Sequence, residues 1–324
     1  MVWSAKFHDN DSAQIEDNST QTMSLKCFFT DRFMLSLPPA HRFPMPKYSR
    51  LRERVVDEGI IRPEDLFVPD AATDEQILRA HDADYLEKVK TGTLTAKEIR
   101  RIGFPWTPQM VERSRRSSGA TIAACRTALV EGFAVNLAGG THHAFRDHGE
   151  GYCVFNDSAI ASRAMQAEGR VRRMVILDCD VHQGNGTAAI LKDDPTIFTF
   201  SIHGEKNFPY HKEQSDLDVE LLDGTGDQVY LDILEEGIQR ALAMSHADLA
   251  IYLAGADPYE KDRLGRLKLT KDGLRQRDEL VLGLCKARGL PVAITMAGGY
   301  ARDVEDIADI HLATVKVAAG MIVT

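Results

Sequence analysis

Five short apolar runs, rich in β-branched residues, constrain the fold more than any other feature of the chain. They are "AVNLA" (134–138), "RMVILD" (173–178), "TIFTFSI" (196–202), "DLAIYLAG" (248–255) and "VAITMAGG" (292–299). A strand with one wet face alternates apolar and polar residues; these runs do not, so both of their faces are expected to be buried. Helical patterns separate them. "DSAIASRAMQAEG" (157–169) has Asp157 as its expected N-cap and Gly169 as its C-cap; 227–245 follows, and 270–289 ends on basic residues and a glycine. Strands alternating with helices predict an α/β protein whose parallel sheet is covered on both sides. With no internal repeat and no long linker, residues 23–324 read as one domain. Residues 1–22, rich in Asp, Asn, Ser, Thr and Gln, read as a flexible extension, and Met23 could be the true start.

Composition removes several functions. A formal net charge of −9 argues against a surface that grips nucleic acid broadly. No stretch reaches the length of a membrane span, and the N-terminus lacks a signal peptide's apolar core. Cys27, Cys125, Cys153, Cys179 and Cys285 form no C-x-x-C pair, which suits reduced, mostly buried thiols in a cytoplasmic or nuclear protein.

In a parallel sheet, ligands sit beyond the carboxyl ends of the strands. Here the polar residues cluster at those ends: 139–143, 178–182, 201–203, 255–257 and 298–300. In "ILDCDVHQGNG", Asp178, Asp180 and His182 share one face if the chain is extended. Two buried carboxylates so close repel each other unless a cation lies between them, and an Asp and a His two residues apart can reach one metal ion. The bland alternative is a helix cap plus a surface histidine. A catalytic zinc needs a third protein ligand, and Asp257 in "YLAGADP" is the best candidate, although an Asp before Pro258 is also an ordinary turn residue. Tyr300 in "MAGGY" could donate a hydrogen bond to a developing oxyanion, or simply pack. Of the adjacent histidines in "GGTHHA", one would take a proton from water and pass it to a leaving group. The other would orient it or stabilise charge.

Taken in order, "GGTHHA", "DCDVHQGNG", "AGADP" and "GGY" resemble the zinc-dependent histone deacetylase family of the arginase/deacetylase superfamily, with its bacterial relatives. The segments "HRFPMPKYSRLRE" (41–53) and "KDRLGRLKLTKDGLRQRDELV" (261–281) are similar to its class IV branch. The similarity runs from about Leu25 to the C-terminus. It implies a three-layer arginase/deacetylase fold: a central, mostly parallel sheet of eight strands with helices on both faces. It implies one zinc ion (Zn2+) bound by Asp180, His182 and Asp257, with His143 as general base and then acid. His142 would pair with Asp178, and Tyr300 would polarise the substrate carbonyl. A structural potassium ion (K+) would use the Asp178 side chain, Ser201 and main-chain carbonyls of Asp178, Asp180, His182 and Ile202. Gly151, Tyr152 and Phe208 would wall a channel for an acyl-lysine side chain. The implied reaction is hydrolysis of N6-acyl-lysine, acetyl or longer, in peptides or proteins. An acetylpolyamine amidohydrolase and a non-catalytic acyl-lysine-binding module are the alternatives. Neither nucleic acid nor membrane is an expected partner, and the sequence leaves the oligomeric state open.

Two positions depart from class I members. Asn185 stands where those enzymes carry an Asp behind the second histidine, and a neutral amide stabilises imidazolium less than a carboxylate does. Tyr152 stands where a Phe often lines the channel, adding a polar tip to that wall. A binuclear manganese site of the arginase type would want an Asp where this chain has Gly184.

Overall fold

The five runs become five contiguous strands, all of them inner, of one eight-stranded sheet in the computed structural model. The structure describes residues 24–38 and 40–323, so the expectation for 1–22 lies outside the described residues. In chain order the strands are β1 (Lys26–Phe28), β2 (Leu66–Phe67), β3 (Phe133–Asn136), β4 (Met174–Asp178), β5 (Ile197–Gly204), β6 (Leu217–Leu221), β7 (Leu249–Leu253) and β8 (Val292–Thr295). Their spatial order is β2-β1-β3-β8-β7-β4-β5-β6, and every neighbouring pair runs parallel. The helices are α1 (Lys47–Asp57), α2 (Asp74–Leu78), α3 (Ala83–Thr91), α4 (Ala96–Ile102), α5 (Pro108–Glu131), α6 (Asp157–Ala167), α7 (Asn185–Leu191), α8 (Asp227–Ser245), α9 (Lys271–Lys286) and α10 (Val304–Val323).

Alternation within the inner strands divides the core into two layers. Val175 and Leu177 join Leu51, Leu234, Leu282 and Ile307, from α1, α8, α9 and α10. Met174 and Ile176, pointing the other way, join Met110, Ile122 and Ile160, from α5 and α6. Burial on both faces is why the runs carry no polar alternation. The five cysteines are buried and form no disulfide. Among the described residues, no helix is long and apolar enough to cross a membrane.

Two local expectations change. The N-cap of α6 is Asn156, whose side chain accepts the Ala159 amide at 3.0 Å, and not Asp157, whose carboxylate turns inward to another task described below. The run 292–299 stays in the sheet only to Thr295; Ala297, at φ +52°, already belongs to the loop that presents Tyr300.

Candidate active site

Four adjacent strands, in the sheet order β3-β8-β7-β4, release their chains toward one spot beyond the carboxyl edge. They deliver His142 and His143, Tyr300, Asp257, and Asp180 with His182 respectively.

The turn after β3 requires glycine. Gly139 and Gly140 lie at φ +80° and +71°, and a Cβ on Gly140 would come within 2.5 Å of Ala297. Asp157 holds this turn from beneath. Its carboxylate accepts the amides of Gly140 (3.0 Å) and Thr141 (2.8 Å) and the hydroxyls of Thr121 (2.6 Å) and Thr141 (2.8 Å). Asn156 donates to the Ala144 carbonyl at 3.1 Å, so the start of α6 clamps both sides of the histidine pair.

The two imidazoles have centroids 4.1 Å apart but different partners. Nδ1 of His142 donates to Asp178 Oδ2 at 2.6 Å; Nδ1 of His143 donates to Asn185 Oδ1 at 2.7 Å. Burial disfavours a charge on either ring. The carboxylates of Asp178 and Asp180 overcome that for His142 and raise it to about 9. His143 is pulled well below its ordinary value by burial, then by the charges of His142 and His182, and the Asn185 amide offsets little of this. His142 is therefore the ring that holds a second proton, and His143 the ring that stays neutral.

The extended chain expected through His182 ends at Asp178, where β4 stops and the backbone bends. The three side chains consequently divide: Asp178 serves His142, while Asp180 and His182 turn to Asp257. Nδ1 of His182 lies 2.9 Å from Asp180 Oδ1 and 3.2 Å from Asp257 Oδ2. All three residues are buried, and they form the one potential metal-holding cluster among the described residues. Backbone amides fix the carboxylates: Gly298 donates to Asp180 Oδ2 at 2.7 Å and Val181 to Asp257 Oδ1 at 2.9 Å. Oδ2 of Asp257 accepts no hydrogen bond. Burial, followed by the negative charge of Asp180, raises Asp257 to about 7. A buried carboxylate oxygen without a donor beside a second carboxylate and an imidazole fits a divalent cation, and two oxygens plus one nitrogen suit zinc. A Cβ on Gly184 would fall 2.5 Å from Asp178 Oδ2, so that position gives no ligand for a second metal.

Tyr300 and His182 face each other edge-on, centroids 6.2 Å apart. The Tyr300 loop is pinned by Asp262, which accepts its amide at 2.6 Å, and by Arg263, which donates to its carbonyl at 2.6 Å. A cavity of about 520 Å³ leads from the surface to His143, His182 and Tyr300. Gly151, Tyr152 and Phe208 line it. A Cβ on Gly151 would approach the His143 ring to 2.7 Å, and Phe208 stands edge-on to that ring at 5.0 Å. Tyr152, held at φ +67°, packs against Phe43 (5.2 Å) and Tyr300 (5.9 Å). Ser201 lies opposite Asp178 in the β4–β5 register, with Ile202 following it. The predicted site residues thus cluster beyond the same sheet edge, with Asp178 linking His142 to Ser201 and Ile202 on the neighbouring strand.

A family model described as a histone deacetylase domain matches residues 41–316. The chain belongs to the histone deacetylase family. It is 45% identical, over 86% of its length and 93% of the relative's, to an uncharacterized protein of Picosynechococcus sp.. It is 29% identical to histone deacetylase 2 of Arabidopsis thaliana, covering 83% of this chain and 72% of that one. Its fold superposes on an HDAC homolog from Aquifex aeolicus with TM-score 0.79 at 22% identity, covering 92% of this chain and 84% of that one. The eight-stranded parallel sheet between helices is accordingly the arginase/deacetylase fold of this family of hydrolases.

Several residues that support the candidate site carried no sequence signal of their own. Lys47 is buried beneath the Tyr300 loop and donates to the carbonyls of Ala297 (3.2 Å) and Gly299 (3.3 Å). Arg277, also buried, donates to the carbonyls of Cys179 and Gly255, just beyond the ends of β4 and β7. Lys47 lies in 41–53 and Asp262, Arg263 and Arg277 in 261–281, but only their contacts reveal what they do.

Proposed function

We propose that this protein is a zinc-dependent lysine deacylase that hydrolyses N6-acetyl-lysine in peptides or proteins. One observation carries the reading: the buried Asp180–His182–Asp257 cluster shares the floor of a single cavity with His143 and Tyr300. Zinc held by those three side chains would supply Lewis-acid polarisation and lower the pKa of water. His143, through Nε2, takes the proton from the attacking water and returns it to the departing lysine amine. His142, charged beside Asp178, stabilises the negative charge that develops. The Tyr300 hydroxyl donates to the substrate carbonyl oxygen as it becomes anionic. Gly151, Tyr152 and Phe208 sheathe the aliphatic lysine stem. Potassium held by Asp178, Ser201 and the main chain around Ile202 would fix the strand ends behind the histidines.

Beyond the floor, a second cavity of about 30 Å³, lined by Tyr48, Arg113, Gly140 and Ala297, has room for about two water-sized groups. That size favours acetyl over octanoyl or myristoyl. The experiment is metal analysis plus kcat/KM on acetyl-, octanoyl- and myristoyl-lysine peptides and on N-acetylputrescine. One metal per chain with acetyl-lysine peptides hydrolysed best is expected. Two metals per chain, activity that survives prolonged chelation, or a clear preference for the acetylpolyamine would overturn it.

A further inference from the structure

Apart from its histidines, the cavity is lined by five basic residues, Arg100, Arg101, Lys206, Arg263 and Arg266, against one acidic one, Glu150. The chain as a whole has the opposite sign, with 48 Asp and Glu against 39 Lys and Arg. Three of the five share their charge with a carboxylate: Arg101 with Glu150 at 3.3 Å, Lys206 with Glu205 at 3.0 Å and Arg266 with Asp223 at 3.0 Å. Exposed pairs of this kind are weak and exchange partners readily.

The remaining two are unlike them. Arg263 donates from Nε to the Tyr300 carbonyl at 2.6 Å and from Nη2 to the Arg42 carbonyl at 2.8 Å. Both acceptors are neutral, so this guanidinium is fixed at the mouth with no carboxylate to compensate it. The adjacent Asp262 is engaged by the amides of Leu264, Gly265 and Tyr300. Arg100 is exposed and makes no ion pair among the described residues.

We propose that this rim selects acyl-lysine set in an acidic stretch of polypeptide, with Asp or Glu flanking the modified residue, and repels polycationic substrates. The inference rests on the deacylase reading above and adds the class of sequence it acts on. When the lysine stem fills the channel, the flanking residues stay outside it. At about 3.5 Å per residue, the two on either side lie within roughly 7 Å of the entrance. That is inside the Debye length at ordinary ionic strength, where cationic walls of low dielectric concentrate anionic ligands. An acetylated polyamine would bring its remaining ammonium groups to the same place.

The test compares kcat/KM of the zinc-loaded protein on acetyl-lysine peptides flanked by Asp and Glu, by Ala, or by Lys. The expected order is acidic, then Ala, then Lys, spanning about tenfold at low salt and shrinking as salt rises toward about 0.5 M. The double variant R100E/K206E should reverse the order of the acidic and Lys-flanked peptides, a ratio that is independent of how much active enzyme each preparation contains. Equal rates on all three peptides, a ranking indifferent to salt, or a polyamine that outperforms them would overturn the inference. Hydrolysis of no peptide at all would strike the deacylase reading itself and remove this inference with it.

Discussion

The ammonium of Lys47 lies 3.2 Å from the carbonyl oxygen of Ala297, although the two residues are 250 positions apart in the chain. With the Gly299 carbonyl as its second acceptor, Lys47 ties down the loop whose Gly298 amide holds Asp180 and whose next residue but one is Tyr300. Lys47→Met keeps the apolar stem but leaves two carbonyls without their donor. It should cost about 1–3 kcal/mol of stability. Because the loop positions a donor needed in the transition state, kcat should fall about tenfold with KM little changed. Denaturant melts and steady-state kinetics on the same preparation check this; a stability loss with kcat untouched would make Lys47 purely structural.

Tyr300→Phe removes one hydroxyl from a buried ring. Loss of kcat by roughly 10²–10³-fold is expected, the usual cost of one oxyanion donor. His143→Ala should cost about 10²-fold or more, as loss of a general base does. Circular dichroism should show both variants folded. A His142→Ala variant far more damaged than His143→Ala would exchange the roles assigned to the two rings.

Asp257→Asn replaces the carboxylate whose Oδ2 has no donor with a neutral amide. Bound metal should fall well below one per chain, read by elemental analysis after dialysis. The wild-type melting temperature should drop on chelation, because a ligand that binds only the folded state stabilises it. The variant's melting temperature should barely respond to chelator.

His81 gives a pH dependence that does not involve the metal cluster. Its Nε2 accepts the Asn156 amide at 2.9 Å, so the ring must be unprotonated there, and burial lowers its pKa from about 6.5 to about 4. Between those values the unfolded chain binds the extra proton. Its contribution is therefore complete above about pH 6.5 and is lost as pH falls toward 4, by up to about 3 kcal/mol. His81→Gln retains an acceptor that does not titrate. Unfolding free energies measured from pH 7 to pH 4 should fall more steeply for the wild type than for this variant; parallel curves would refute the assignment.

The inner strands were legible because burial on both faces writes itself as unbroken apolar sequence, as in "MVILD" and "LAIYL". β1 and β2 are too short to carry a pattern, and β6 is a half-exposed edge strand whose "LDVEL" mixes both signals. The 24-residue helix α5 was missed for a different reason. Between Met110 and Ile122 its buried positions include Ser114, Ser117, Ser118, Gly119 and Thr121, small residues that dilute the hydrophobic periodicity. Close approach requires them, since a Cβ on Gly119 would meet the Asp70 carbonyl at 1.9 Å. At the site, residues such as Asp180, His182 and Tyr300 announced themselves by type and position. Lys47 and Arg263 did not, because their partners are backbone carbonyls supplied by distant segments.

The sheet order β3-β8-β7-β4 has a kinetic consequence. One pair of spatial neighbours is far apart in sequence: β3 and β8, whose following loops carry His143 and Tyr300, are separated by more than half the described chain. Pairings of such high contact order close late and slowly during folding. Turnover draws on all four strands, so a chain in which β3 has yet to pair with β8 can hold the Asp180–His182–Asp257 cluster of β4 and β7 but not His143 and Tyr300 beside it. Regain of turnover on refolding should therefore lag the regain of both helical signal and metal affinity and coincide with the last resolvable step.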